Sequence, residues 1–335
     1  MKTKLGLVTL LIFIFVLFSF KSNEKYEKIE KGTPKYILGK KLFFDPMLSK
    51  DSTISCASCH TSENLLAEKT KFSTGVRNQV GTRNSMPLFN LKDQDSFFWD
   101  GRVKTLEEQI FDPINNPIEM DMKTDALLIR LNKNKEYKTD FYKIFKDSTI
   151  TQENIASVVA YFLKTINCEP PIVEYFHNYP KKNKEYEMAF YKEFVPNITQ
   201  NVIDAIDVCQ RCHIGNAYGG IGQKNTGLPL DNGDYGVFNL TGDSADFGVF
   251  KIPTLFNIKY TAPYMHDGRF ETLREVINFY NKELTSVYNL ADELKDEKGK
   301  PLKLNLSEDE IDAFLVFFDS CTDSTFIQQL EKGLY

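Results

Sequence analysis

The pentapeptide Cys-x-x-Cys-His occurs twice, as Cys56-Ala57-Ser58-Cys59-His60 and as Cys209-Gln210-Arg211-Cys212-His213. Two thiols at this spacing can form thioethers to the vinyl groups of a porphyrin, and the next residue, histidine, is then held where its imidazole can coordinate the iron. A segment used in this way must wrap around a flat prosthetic group, so the motif restricts the fold twice over. A thioredoxin-type dithiol needs no following histidine, and half of a four-ligand zinc site does not explain the repeat that follows these motifs. The chain is therefore expected to carry two covalently attached c-type haems. Cys56, Cys59, Cys209 and Cys212 would hold them, with His60 and His213 as proximal iron ligands. Of the six cysteines, Cys168 and Cys321 are left over, and their positions alone do not say whether they pair.

Each haem motif precedes one copy of an internal duplication. Leu88-Phe89-Asn90-Leu91-Lys92 matches Leu255-Phe256-Asn257-Ile258-Lys259 at an offset of 167 residues. At the same offset Trp99-Asp100-Gly101-Arg102 matches His266-Asp267-Gly268-Arg269, and Thr105-Leu106-Glu107-Glu108 matches Thr272-Leu273-Arg274-Glu275. Ungapped self-similarity of this kind means a duplicated unit, each copy with its own haem. Both copies end in Thr-x-x-Glu before apolar residues, a capping box that starts a helix. In the second copy Leu273, Val276, Ile277 and Tyr280 follow helical spacing and share one face. The position equivalent to Tyr280 in the first copy is Pro113. A tyrosine can ligate haem iron through its phenolate oxygen and a proline cannot, so the duplication predicts one capped haem and one open haem. Packing in the core is the alternative role for Tyr280.

Lys2 and Lys4 precede a mostly apolar run from Leu5 to Phe18, with Lys21 beyond it. This is the pattern of an export signal. The cleavage signal is poor, so residues 1–22 are read as a signal peptide or, alternatively, as an uncleaved N-terminal membrane anchor. Either places the chain in the periplasm. The formal net charge of −5 provides no basic footprint for nucleic acid.

The most specific stretches, Phe98-Trp99-Asp100-Gly101-Arg102 through Gln109, Pro113 and Glu119, and Ala262-Pro263-Tyr264-Met265-His266-Asp267-Gly268, resemble the bacterial di-haem cytochrome c peroxidase family, which includes MauG-type enzymes. The resemblance runs from about Leu38 to Phe318. It implies a mostly α-helical chain of two tandem cytochrome c-like domains. Residues 23–178 would hold the peroxidatic haem and residues 179–335 the electron-transfer haem. Trp99 resembles the tryptophan between the haems. Gln109, Pro113 and Glu119 resemble the polar and shaping groups above the reactive iron. Asn84, by its side chain, and Thr261 and Pro263, by their carbonyl oxygens, resemble the ligands of an interdomain calcium ion, a set of oxygen donors suited to that cation.

Two departures from the family pattern bear on chemistry. Many family peroxidases carry a loop histidine that blocks the first haem until reduction; the matching position here is Val76. Many also cap the second haem with methionine, where this chain has Tyr280, as MauG-type proteins do. Met265 is the fallback ligand.

The implied reaction is reduction of hydrogen peroxide at the first haem. Glu119 would move a proton between the peroxide oxygens and Gln109 would orient the peroxide. Electrons would come from a small periplasmic cytochrome or cupredoxin. A MauG-type oxidation of side chains on a partner protein is the second reading, and a non-enzymatic di-haem electron carrier is the third.

Overall fold

A computed structural model of the chain describes residues 29–173, 184–213, 219–230 and 233–333. The N-terminal segment 1–22 and the expected domain boundary at 178–179 lie outside the described residues. The described residues are mostly helical, and their only sheet is the short antiparallel pair β1 (Gln223–Lys224) and β2 (Phe250–Lys251). None of the described helices is long and apolar enough to cross a membrane.

The first half is built on α1 (Pro34–Phe44), α2 (Cys56–Cys59), α3 (Leu106–Gln109), α4 (Phe111–Asn115), α5 (Thr124–Lys133), α6 (Lys135–Phe145) and α7 (Gln152–Lys164). Thr33 starts α1 by accepting the Tyr36 N–H at 3.2 Å, with Pro34 at the first helical position, where no N–H is needed. α1 packs along α7 through aromatic edges: Phe162 meets Tyr36 at a centroid distance of 5.5 Å and Phe43 at 5.4 Å. Phe162 is almost fully buried, so its removal leaves a cavity that rigid neighbours cannot fill. Phe162→Ala is expected to cost about 3–5 kcal/mol, read as a lowered denaturation midpoint by circular dichroism.

The second half uses α8 (Lys184–Phe194), α9 (Gln200–Gln210), α10 (Phe238–Thr241), α11 (Leu273–Asn278), α12 (Glu308–Phe317) and α13 (Ser324–Glu331). Glu310 ties the starts of α9 and α12 together, accepting from Thr199 Oγ1 at 2.8 Å and Asn201 Nδ2 at 3.0 Å. Tyr191 of α8 packs edge-on against Phe317 of α12 at 5.6 Å.

Both expected capping boxes form, Thr105 with Glu108 before α3 and Thr272 with Glu275 before α11. The duplication also shows in the backbone. Asn90 and Asn257 both adopt left-handed φ, at 52° and 54°. Asn90 N–H donates to the Ile166 carbonyl and its Oδ1 accepts from Cys168 N–H; Asn257 N–H donates to the Cys321 carbonyl and its Oδ1 accepts from Asp323 N–H. Each asparagine thereby fastens its own copy to the chain leaving α7 or α12. One hydrophobic core runs from Tyr36 to Leu330 through both halves. The C-terminal helix α13 reaches back to the first half, where Phe326 meets Phe89 at 5.6 Å. Cys168 and Cys321 are both buried free thiols.

Candidate haem sites

Each Cys-x-x-Cys-His motif folds as a tight turn: His60 N–H donates to the Cys56 carbonyl at 3.0 Å, and His213 N–H to the Cys209 carbonyl at 2.9 Å. In the first motif the turn is α2; in the second it begins in the last turn of α9 and runs past its end. The two imidazoles are oriented alike. His60 Nδ1 lies 2.9 Å from the Leu66 carbonyl and His213 Nδ1 lies 2.9 Å from the Pro253 carbonyl. A carbonyl can only accept, so each Nδ1 carries the proton and each Nε2 keeps its lone pair for a metal. Burial lowers both imidazole pKa values, that of His213 to about 4, so both rings are neutral and able to ligate. Gly219 approaches closely here: a Cβ on it would come within 2.2 Å of the Pro253 carbonyl oxygen and 3.0 Å of His213 Nδ1.

Two cavities open beside these motifs. One, of about 570 Å³, is lined by Cys56, Cys59, His60, Gln109, Pro113 and Glu119. The other, of about 190 Å³, is lined by Cys209, Cys212, His213, Met265, Tyr280 and His266. Trp99 lines both, and its indole N–H donates to the Asn84 carbonyl at 2.7 Å. The donor sets suit haem in both places: two thiols, one neutral imidazole and otherwise largely apolar walls. The second cavity also contains a buried nitrogen without a hydrogen-bond partner among the described residues, His266 Nε2. The ring of His266 stacks on Phe250 at 3.9 Å.

Glu119 stands on a loop anchored by the buried Met120 and Met122. Asn116 Nδ2 donates to Glu119 Oε1 at 2.6 Å, while Asn116 Oδ1 accepts the Ile118 N–H at 3.1 Å. Desolvation raises the Glu119 pKa above the usual carboxylate range, and Asp112 adds to the effect; the Asn116 hydrogen bond and Arg102 oppose it. The segment carrying Val76 is docked on this loop. Val76 N–H donates to the Glu119 carbonyl at 2.8 Å, and a Cβ on Gly75 would come within 2.2 Å of the Ile118 carbonyl oxygen. Arg77 closes the contact by donating to Asp121 at 2.7 Å and to the Pro117 carbonyl at 3.2 Å.

Tyr280 departs from the plain helical face expected from sequence. After Asn278 the α-helix widens into a π turn over Phe279–Glu283, and Tyr280 lies within it. Such turns re-aim a side chain without ending the helix. The phenol is buried beside Cys209 and Cys212, within hydrogen-bond reach of Thr226, and burial raises its pKa. Asn84, Thr261 and Pro263 line the same second cavity. Asn84 N–H donates to the His266 carbonyl at 2.8 Å, fixing one half of the chain against the other.

Several site residues lay beyond the sequence reading. Arg83 bridges Asp100 of the first half and Asp234 of the second, with nitrogen–oxygen distances of 2.6 Å to each. Asn116 and Lys251 are the others. For the histidine-orienting carbonyls a signal did exist: Pro253 aligns at the 167-residue offset with Met86, whose backbone also acts on the His60 ring.

The sequence model described as "Di-haem cytochrome c peroxidase" matches residues 33–185. The chain is 32% identical over 289 residues to cytochrome c551 peroxidase of Nitrosomonas europaea, covering 83% of this chain and 82% of that protein. It is 29% identical to the methylamine utilization protein MauG of Paracoccus denitrificans, over 88% of this chain and 90% of that one. Among solved structures, a MauG-like protein associated with microbial copper homeostasis superposes with a TM-score of 0.70 at 24% identity, over 89% of this chain and 92% of that one, and so shares the fold. Two Cys-x-x-Cys-His turns, two cavities that share Trp99 in their walls, and this breadth of similarity lead to one conclusion: the chain belongs to the di-haem cytochrome c peroxidase family.

Proposed function

We propose that this chain is a periplasmic di-haem peroxidase that reduces hydrogen peroxide to water with electrons from a small cytochrome or cupredoxin. The observation that carries the reading is the asymmetry of the cavities. A carboxyl, an amide and a proline face the roomier one, whereas a tyrosine faces the tighter one. Membership of a family whose relatives include cytochrome c peroxidases supports the same reading. When bound, the haems supply the redox-active irons that take up the two oxidising equivalents of peroxide. Glu119 accepts a proton from one peroxide oxygen and returns it to the departing one. Gln109 would hold the peroxide by a hydrogen bond, and Pro113 brings no ligating side chain to the first cavity. Trp99, in the wall shared by both cavities, relays electrons. Asn84 through its side chain, and Thr261 and Pro263 through their carbonyls, hold one calcium ion between the halves. The halves are read as cytochrome c-like domains over 23–178 and 179–335, behind an N-terminal export signal or anchor.

The test is steady-state turnover with hydrogen peroxide and a reduced small cytochrome, beside an electron paramagnetic resonance spectrum of the oxidised protein. Turnover with one high-spin and one low-spin haem is expected. Two six-coordinate low-spin haems without turnover would identify an electron carrier instead. Val76 and Tyr280 favour a second reading, MauG-type oxidation of a partner protein. That reading predicts peroxide consumption without oxidation of the small cytochrome.

A further inference from the structure

Lys251 has no part in the chemistry above, yet it lines both haem cavities and is only 3% exposed. A buried ammonium is costly unless an anion meets it. The described hydrogen-bond partners of this one are neutral: Nζ donates to Gln94 Oε1 at 2.8 Å and to the Gly220 carbonyl. Asp95 attracts it from nearby, but its oxygens accept from the Gly222 N–H and the Ser96 hydroxyl. Desolvation lowers the Lys251 pKa to about 8, as for a cation short of counter-charge. The other cations lining the cavities already have carboxylates. Arg83 pairs with Asp100 and Asp234, Arg102 with Asp100 and Asp112, and Lys224 with Glu293.

The duplication says where Lys251 stands. At the 167-residue offset it is the counterpart of Asn84, as His266 is of Trp99. The structure keeps this symmetry across the junction: Asn84 N–H donates to the His266 carbonyl at 2.8 Å, and Lys251 N–H to the Trp99 carbonyl at 2.7 Å. Gln94, which holds the ammonium, is in turn the counterpart of Thr261. One side of the junction thus carries the proposed calcium ligands. Its counterpart carries a cation that belongs to the chain.

We propose that Lys251 is a positioning residue whose ammonium is the counter-charge shared by the carboxylates that two haems bring to this junction, raising both reduction potentials. Haem carries two propionates, and a fixed positive charge favours the ferrous over the ferric state of a nearby iron. The proposal rests on the two-haem reading.

The test uses the full-length holoprotein with Lys251→Gln and Lys251→Arg, haem content by pyridine haemochrome, and spectroelectrochemical titration of both haems. Lys251→Gln is expected to keep two haems and to lower the ferrous-to-ferric ratio of each about tenfold at fixed potential, a shift of about 59 mV for a one-electron couple. Lys251→Arg is expected to keep both potentials at wild-type values. A Gln variant in which either potential stays put, or an Arg variant that shifts as far as Gln, would overturn the proposal. If Lys251→Gln does not fold, Gln94→Glu leaves the lysine in place and sets a carboxylate against it. Both potentials are then expected to fall, and an unchanged value for either haem counts against the shared role. A wild-type protein with fewer than two haems would overturn the two-haem reading and this proposal with it.

Discussion

Replacing Glu119 with Gln is expected to lower peroxide turnover by about 10²–10⁴-fold, the usual worth of a positioned general acid–base group. The substitution keeps the shape of the side chain and removes only its ability to take and return a proton. Haem content and the fold should stay at wild-type levels, which separates a catalytic loss from a structural one. The pH profile gives the sign. On the proposed path Glu119 would have to be ionised to accept the first proton, and burial raises its pKa, so turnover should fall on the acid side at a pH above that of an ordinary glutamate. The charged groups acting on it are Arg102, which stabilises the carboxylate, and Asp112, which does the opposite. The Cys56 and Cys59 sulfurs also lie close, and as thioethers they would be neutral. Asn116→Asp sharpens the test. It keeps an acceptor for the Ile118 N–H but replaces the amide donor at 2.6 Å with a second carboxyl. That change should push the acid limb to still higher pH without abolishing turnover. Activity of Glu119→Gln within a few-fold of wild type would remove Glu119 from the proton path.

Much of this site was legible in the sequence because covalent chemistry and duplication leave local marks. The Cys-x-x-Cys-His turns, the two capping boxes and the contrast between Pro113 and Tyr280 are each contained in a short stretch of chain. Trp99 could be placed in the wall between the cavities because its resemblance to the family tryptophan came with a repeat on either side. The parts that stayed hidden depend on contacts between distant segments. Arg83 reads as a solvated cation until folding sets it between Asp100 and Asp234. Lys251 follows Phe250 in a two-residue strand, and nothing local to it signals burial. Asn116 reads as a turn residue, which it is, and its second role exists only because the loop folds back to place Glu119 beside it. The π turn at Tyr280 was illegible for another reason: its hydrogen bonds run one residue further than the α pattern, and apolar spacing over four positions does not separate the two. The duplication offers a partial remedy. Aligning each half on the other pairs Met86 with Pro253, and Asn84 with Lys251, from the sequence alone.

Tyr280→Met is expected to raise the midpoint potential of the second haem on the order of hundreds of millivolts, since axial-ligand identity spans about 0.8 V among haem proteins. The wild-type oxidised spectrum should lack the weak red band that marks methionine–iron ligation, and the variant should gain it. The phenol of Tyr280 is buried against the Cys209 and Cys212 sulfurs, where desolvation alone would keep it protonated. A ferric iron held beside it would reverse that preference, because a local cation favours a ligating phenolate. An anionic ligand then stabilises the oxidised over the reduced iron, whereas a neutral thioether does not, which gives the direction of the shift. Tyr280→Phe separates ligation from packing. It keeps the ring within its π turn and removes the oxygen, so the second haem should turn high-spin while the core is preserved. Met265 supplies the competing outcome, because it lines the same cavity. If the red band is present in the wild type and disappears in Met265→Leu, then Met265 is the ligand. The asymmetry between the haems would in that case depend on Pro113 and cavity size alone. If the band is absent and Tyr280→Met creates it, the tyrosine itself makes the second haem a low-potential store for the oxidising equivalents generated at the first.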